Sequence, residues 1–151
     1  MAGGEGVERE EAIRGLEHEL GRLLRRVRRG LADRAVLVDP ALSATAYPLL
    51  VTLAEIGPHR AAELAEMFAL DKGAVSRIVG QLIELGLIER SPDPADGRAS
   101  ILRATDEAHR RLARLAEVRR AEVDVRLSAW DPSSITELAD GLARFNAAIS
   151  D

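Results

Sequence analysis

A run of polar residues at helical spacing holds the strongest chemical signal in this chain. Gly73, Ser76, Arg77, Gly80, Gln81 and Glu84 recur at steps of three and four, so a helix places them on one face. Val75, Ile78, Leu82 and Leu85 fall on the opposite, inward face. The outer face suits the reading of a DNA groove. Arg77 can donate two hydrogen bonds to guanine O6 and N7, and Gln81 can pair with adenine N6 and N7. Ser76 is short enough to meet a phosphate or a base edge. Gly73 and Gly80 allow close approach of the backbone. Lys72, the sole lysine, stands at the helix start, where free N–H groups favour phosphate. Arg60 adds a further cation to the expected DNA contacts. A second probe follows downstream. Arg98 comes after an Asp-Gly turn in a segment stiffened by Pro92 and Pro94, and an arginine at such a tip suits a narrow minor groove. Asp96, two residues earlier, is placed to orient it.

These residues need a frame, and the flanking sequence supplies one. A short helix over about Arg60 to Phe68 precedes a tight turn. Asp71 is a good N-cap for the next helix, with Leu70 placed to staple onto Val75. That helix runs from about Lys72 to Leu85, and Gly86 supplies a left-handed C-cap. Leu87 to Arg90 and Ala99 to Ala104 read as the two strands of a hairpin across the dense turn signal of Ser91 to Gly97. Upstream, an amphipathic helix spans about Glu8 to Leu31, Asp39-Pro40 breaks the chain, and a helix over about Ser43 to Glu55 ends at Gly57-Pro58. Downstream, Thr105 caps a long helix reaching about Ser128. Asp131-Pro132 opens the last helix, with Ser134 and Glu137 as its capping box and Ile135, Leu138, Leu142, Phe145 and Ile149 as its stripe.

The expected fold is therefore mainly α with a small β-hairpin wing: a winged helix-turn-helix plus a helical dimerisation region. Residues 1–7 are expected to be disordered. Residues 8–151 form one domain, with 42–104 as the winged head and 8–32 and 105–151 as dimerisation helices. A winged head cannot cover the apolar stripes on both sides of it, so they call for a second copy of the chain.

Composition limits the alternatives. The chain has 151 residues, 46% apolar but only 3% aromatic, which suits a core of packed aliphatic helices. It has no cysteine, and so neither disulfides nor thiolate metal sites. His18, His59 and His109 lack ligand spacing, so no metal or cofactor is expected. No nucleophile–base pair or phosphate loop stands out, which argues against an enzyme. No apolar run suits a membrane span and no signal-peptide core follows Met1, so a cytoplasmic protein is expected. The formal net charge is −4, and the segment from Arg60 to Ala104 holds six cations against seven acids. DNA affinity must then rest on a few placed cations rather than on the overall field. The alternative is a winged-helix protein-interaction module without DNA binding.

The stretches Leu70-Asp-Lys-Gly-Ala-Val-Ser-Arg77, Leu82-Ile-Glu-Leu-Gly-Leu-Ile-Glu-Arg90 and Asp93-Pro-Ala-Asp-Gly-Arg98 resemble the multiple-antibiotic-resistance regulator (MarR) family. The likeness covers nearly the whole chain in element order and is most specific over residues 60 to 105. It implies a homodimeric transcriptional regulator, expected to repress, on a pseudo-palindromic double-stranded operator. Ser76 and Arg77 match the recognition helix and Arg98 the wing arginine. It also implies a small aromatic or phenolic effector, for which Leu16, Leu20, Tyr47, Val51 and Leu112 are the expected wall. Three departures stand out. Ala69 occupies a turn position usually held by Gly, Gly73-Ala74 replaces a pair of hydroxyl residues, and Ala108 replaces a Gly that often follows the wing.

Overall fold

The computed structural model describes residues 2–94 and 99–149. Among the described residues, six helices and three short strands follow one another as α1 (Ala2–Val38), α2 (Ala46–Glu55), β1 (His59–Arg60), α3 (Ala61–Met67), α4 (Lys72–Glu84), β2 (Ile88–Pro92), β3 (Ser100–Ala104), α5 (Asp106–Arg126) and α6 (Pro132–Ile149). The chain divides into two compact units, Met1–Ala113 and Arg114–Asp151.

In the first unit the core is aliphatic. Leu49, Leu50 and Leu53 of α2, Leu64 of α3, and Val75, Val79 and Leu82 of α4 are buried together with Leu87 and Leu102. Val79 lies deeper than Ile78, which the periodicity had placed inward. Helix α1 is longer than expected at both ends. It starts at Ala2, within the stretch expected to be disordered, although three early glycines weaken helix propensity there. It also continues past Leu31 to Val38, because Ala35 and Val38 are buried and carry the helix into the core. Asp39-Pro40 then ends it. Helix α2 begins at Ala46 rather than Ser43, after a turn in which the Ser43 hydroxyl accepts from the Ala46 N–H at 3.2 Å. Pro48 consequently sits in the first turn, where its missing N–H costs no helical hydrogen bond.

Local signals set the turns around α3 and α4. Helix α3 closes with the Leu70 N–H on the Ala65 carbonyl (2.9 Å) and the Ala69 N–H on the Glu66 carbonyl (3.1 Å). That pattern needs a left-handed residue after the cap, and Ala69 takes it at φ 50°. The Asp71 carboxylate caps α4 by accepting from the Ala74 N–H at 2.8 Å. The end of α4 repeats the α3 pattern with Gly86 at φ 67°. Thr105 joins two elements: its hydroxyl donates to the Gly86 carbonyl at 2.8 Å and accepts from the Ala108 N–H at 3.2 Å. Ala108 is fully buried, so its methyl group packs where a glycine would leave none.

The sheet has one strand more than the expected hairpin. Its order is β1-β3-β2, all antiparallel. His59 pairs with Leu102 and Arg60 with Ile101, while Ile88 pairs with Ala104 and Pro92 with Ser100. Two residues are too few for a periodicity signal, which is why β1 is invisible in the sequence.

In the second unit no residue of α6 is buried. Helix α6 is capped by Asp131, which accepts from the Ser134 N–H at 2.9 Å, not by the Ser134–Glu137 box. Hydrogen bonds from Ser133 and then Ser134 hold the Asp131 carboxyl well below its ordinary pKa. Pro132, without an N–H, occupies the first helical position.

Candidate nucleic-acid interface

Helices α3 and α4 pack against each other across the turn 68–71, with β2 and β3 following α4. The capped start of α4 leaves Lys72, Gly73, Ser76 and Arg77 exposed along one face. Four of the seven residues expected to meet DNA are thus brought together on the first two turns of one helix. Gly80, one turn on, has open space where a Cβ would stand, which keeps that face low. Gly73 is more confined: an added Cβ would lie 3.1 Å from Asp71 Oδ1 and 3.5 Å from Arg77 Nη1. The glycine therefore makes room for the Asp71 cap, while Arg77 would stand at ordinary van der Waals distance.

Two other expected contacts, Gln81 and Arg60, are bound within the protein. Gln81, half-buried, is held against the loop between α1 and α2. Its Nε2 donates to the Ala41 carbonyl at 3.0 Å and its Oε1 accepts from the Ser43 hydroxyl at 2.7 Å. Both ends of the amide that would have read an adenine are occupied. Arg60 turns to the base of the wing, where its Nε donates to Asp93 Oδ2 at 2.6 Å and its Nη2 forms an ion pair with the same oxygen. The Asp93 side chain is only 4% exposed and Arg60 42%, so the pair anchors buried charge. The Asp93 N–H also donates to the Ala99 carbonyl at 3.1 Å, closing the strands. Arg98 and Asp96 lie outside the described residues.

The expected effector wall is dispersed in burial. Tyr47 is buried, Leu20, Val51 and Leu112 are partly covered, and Leu16 is 45% exposed. Leu16 sits about 28 Å along α1 from Ala35, where that helix enters the core. Two clefts lie instead against α4. One of about 580 Å³ is lined by Ala61, Ala65, Leu70, Val75, Ser76 and Arg90 among others, and one of about 350 Å³ by Ser43, Arg77 and Gln81 among others. None of the five residues lines either cleft.

One polar cluster went unanticipated. Arg111 of α5 donates from Nη1 to Asp39 Oδ2 at 2.5 Å and from Nε to Glu107 Oε1 at 2.6 Å. The Glu107–Arg111 spacing of four is legible on any helix. The Asp39 contact spans 72 residues and carries no local signal. The Ala41 N–H, with Arg111, holds Asp39 below its usual carboxylate pKa against a partial desolvation penalty. Among the described residues no group of His, Asp or Glu is arranged to hold a metal ion, and no helix is long and apolar enough to cross a membrane.

Comparison with known proteins agrees with this geometry. The model of the MarR family matches residues 42–100. The HTH-type transcriptional regulator YxaD of Bacillus subtilis is 32% identical over 142 residues, covering 90% of this chain and 94% of that protein. The HTH-type transcriptional repressor NicR of Pseudomonas putida is 32% identical over 90 residues, 58% of this chain and 57% of its own. Among solved structures, RV1404 of Mycobacterium tuberculosis superimposes with a TM-score of 0.72 at 25% identity, covering 93% of this chain and 94% of that one. The chain belongs to the MarR family, and is a DNA-binding winged helix-turn-helix transcriptional regulator rather than an enzyme.

Proposed function

We propose that the protein is a cytoplasmic, homodimeric repressor that places α4 of each subunit in successive major grooves of a pseudo-palindromic operator. The observation that carries this reading is the exposed face of Lys72, Gly73, Ser76 and Arg77 at the capped start of α4. Arg77 reads guanine, Ser76 meets a base edge or phosphate, and Lys72 with the helix N-terminus engages the backbone. Arg98 enters the flanking minor groove from the wing, oriented by Asp96. Half-sites then lie about 34–36 Å apart, one turn of DNA. Repression is carried over from the name of NicR. A small aromatic or phenolic ligand tunes affinity, with Leu20, Tyr47, Val51 and Leu112 as the covered part of its wall.

The test is a mobility shift on the DNA upstream of the protein's own gene. Arg77→Ala should weaken binding by about 1–3 kcal/mol and relax preference at one base pair. Arg98→Ala should weaken it without that relaxation in the major groove. Release of the complex by a panel of phenolic acids supports the effector. Full-strength binding by both variants would sink the assignment, and no shift on any genomic fragment at low salt would favour a protein-interaction module.

A further inference from the structure

Gln81 is the only glutamine in the chain, and it is bound at both ends to the loop between α1 and α2. That loop is in turn bound to α5. Ala41 offers its carbonyl to Gln81 Nε2 at 3.0 Å and its N–H to Asp39 Oδ1 at 2.8 Å. The other oxygen of Asp39 accepts from Arg111 Nη1 at 2.5 Å, and Arg111 Nε donates to Glu107 at 2.6 Å. Arg111 Nη1 also reaches the Val38 carbonyl at 3.3 Å, where α1 ends. Four side chains and both backbone groups of one residue therefore make an unbroken path from the DNA-facing helix to the first turns of α5.

We propose that Gln81 is a positioning residue rather than a base reader, and that it is the α4 end of a polar relay, Gln81–Ala41–Asp39–Arg111–Glu107, which sets the pose of α4 against α5. Every link is a donor–acceptor pair with a fixed direction. A carboxamide has two N–H donors and two acceptor lone pairs, and here one of each is held by a partner within the chain. Asp39 has one oxygen on the loop and the other on α5, so it cannot satisfy both if the loop shifts. Arg111, with a rigid fork of donors, holds the α5 side more firmly than a lysine could. Displacement of α5 would thus be felt at Arg77, one turn from Gln81 on the same helix. This rests on the DNA-binding reading for its consequence, but not for its geometry.

Two measurements test it. The first is the affinity of wild type, Gln81→Ala, Arg111→Met and the double variant for the upstream duplex and for a set with single base-pair substitutions. Gln81→Ala should weaken binding about three- to tenfold on every duplex alike, the scale of one or two hydrogen bonds. Arg111→Met should do the same, and the double variant should be little worse than either alone, because both cut one chain. Arg111→Lys should recover part of the loss. Loss of preference at one base pair in Gln81→Ala would make Gln81 a reader, and an additive double variant would break the relay. The second measurement needs no DNA. Gln81 and Asn146 hold the only side-chain carboxamides, so the Gln81 amide pair can be assigned by nuclear magnetic resonance with Gln81→Ala. Its resonances should shift in Arg111→Met and far less in Arg111→Lys, with circular dichroism confirming both folds. Unmoved Gln81 resonances overturn the relay. If wild type binds no duplex, the DNA-binding reading falls, and the amide spectrum still decides the relay.

Discussion

Ala69 sits at φ 50° between α3 and α4, in the region where a Cβ crowds the following carbonyl. The two Schellman hydrogen bonds of α3 hold it there, so the strain is sustained by the turn that aims α4. Replacing it with glycine removes the clash at a smaller cost in unfolded-chain entropy. Ala69→Gly should therefore stabilise the fold by about 1 kcal/mol, read as a higher urea midpoint at unchanged slope. Asp39 gives a second prediction at this scale. Its pKa is lowered in the folded state by the Ala41 N–H and by Arg111. A depressed carboxylate stabilises the fold fully above its unfolded value, near 3.8, and that stability is lost as pH falls through the folded value. The acid limb of wild-type stability below about pH 4 should be shallower in Asp39→Asn, measured by urea unfolding across pH.

Elements are positioned by contacts of two ranges, and the range decides what a sequence can reveal. Asp71, Gly86 and the Thr105 cap on Ala108 act within a few residues of themselves, so cap and turn chemistry identify them unaided. The apolar stripe of α4 and the order of elements follow from periodicity for the same reason. Gln81 and Arg60 suit a groove by type and spacing. Within the chain they also have partners 40 and 33 residues away, beyond any local pattern. The short strand β1 is likewise defined only by its pairing with β3. The Arg60–Asp93 pair makes this testable at the wing. Arg60→Ala removes one cation from a buried carboxylate, which should cost about 1–3 kcal/mol of stability. A groove contact would instead lose operator affinity at unchanged stability. Thermal unfolding of Arg60→Ala beside its operator affinity separates the two, and Asp93→Asn should lose less because the amide carries no charge to strand.

At the scale of the whole molecule, the single chain leaves its helices half-finished. Helix α6 is 18 residues long and has no buried residue, yet Ile135, Leu138 and Leu142 form an apolar stripe with each residue 40–49% exposed. In α1, Ile13, Leu16 and Leu23 are exposed in the same way. Covering a large aliphatic side chain is worth about 1.5–3 kcal/mol, so a surface of this kind drives association. Members of the MarR family act as dimers, and these stripes are the surface such a partner needs. Leu142→Glu places a charge in the middle of the α6 stripe and leaves every residue of the winged head unchanged. The variant should sediment as a monomer at concentrations where wild type is a dimer, with its far-ultraviolet spectrum retained. Trp130, the only tryptophan and 47% exposed in the single chain, supplies the optical probe, its emission moving to the red in the variant. Operator affinity should fall by far more than any single contact on α4 is worth. A dimer brings its second head to the DNA at high effective concentration, and a monomer must bind each half-site alone. Tight operator binding by a monomeric Leu142→Glu would show that one head suffices, and would remove the two-fold symmetry from the mechanism.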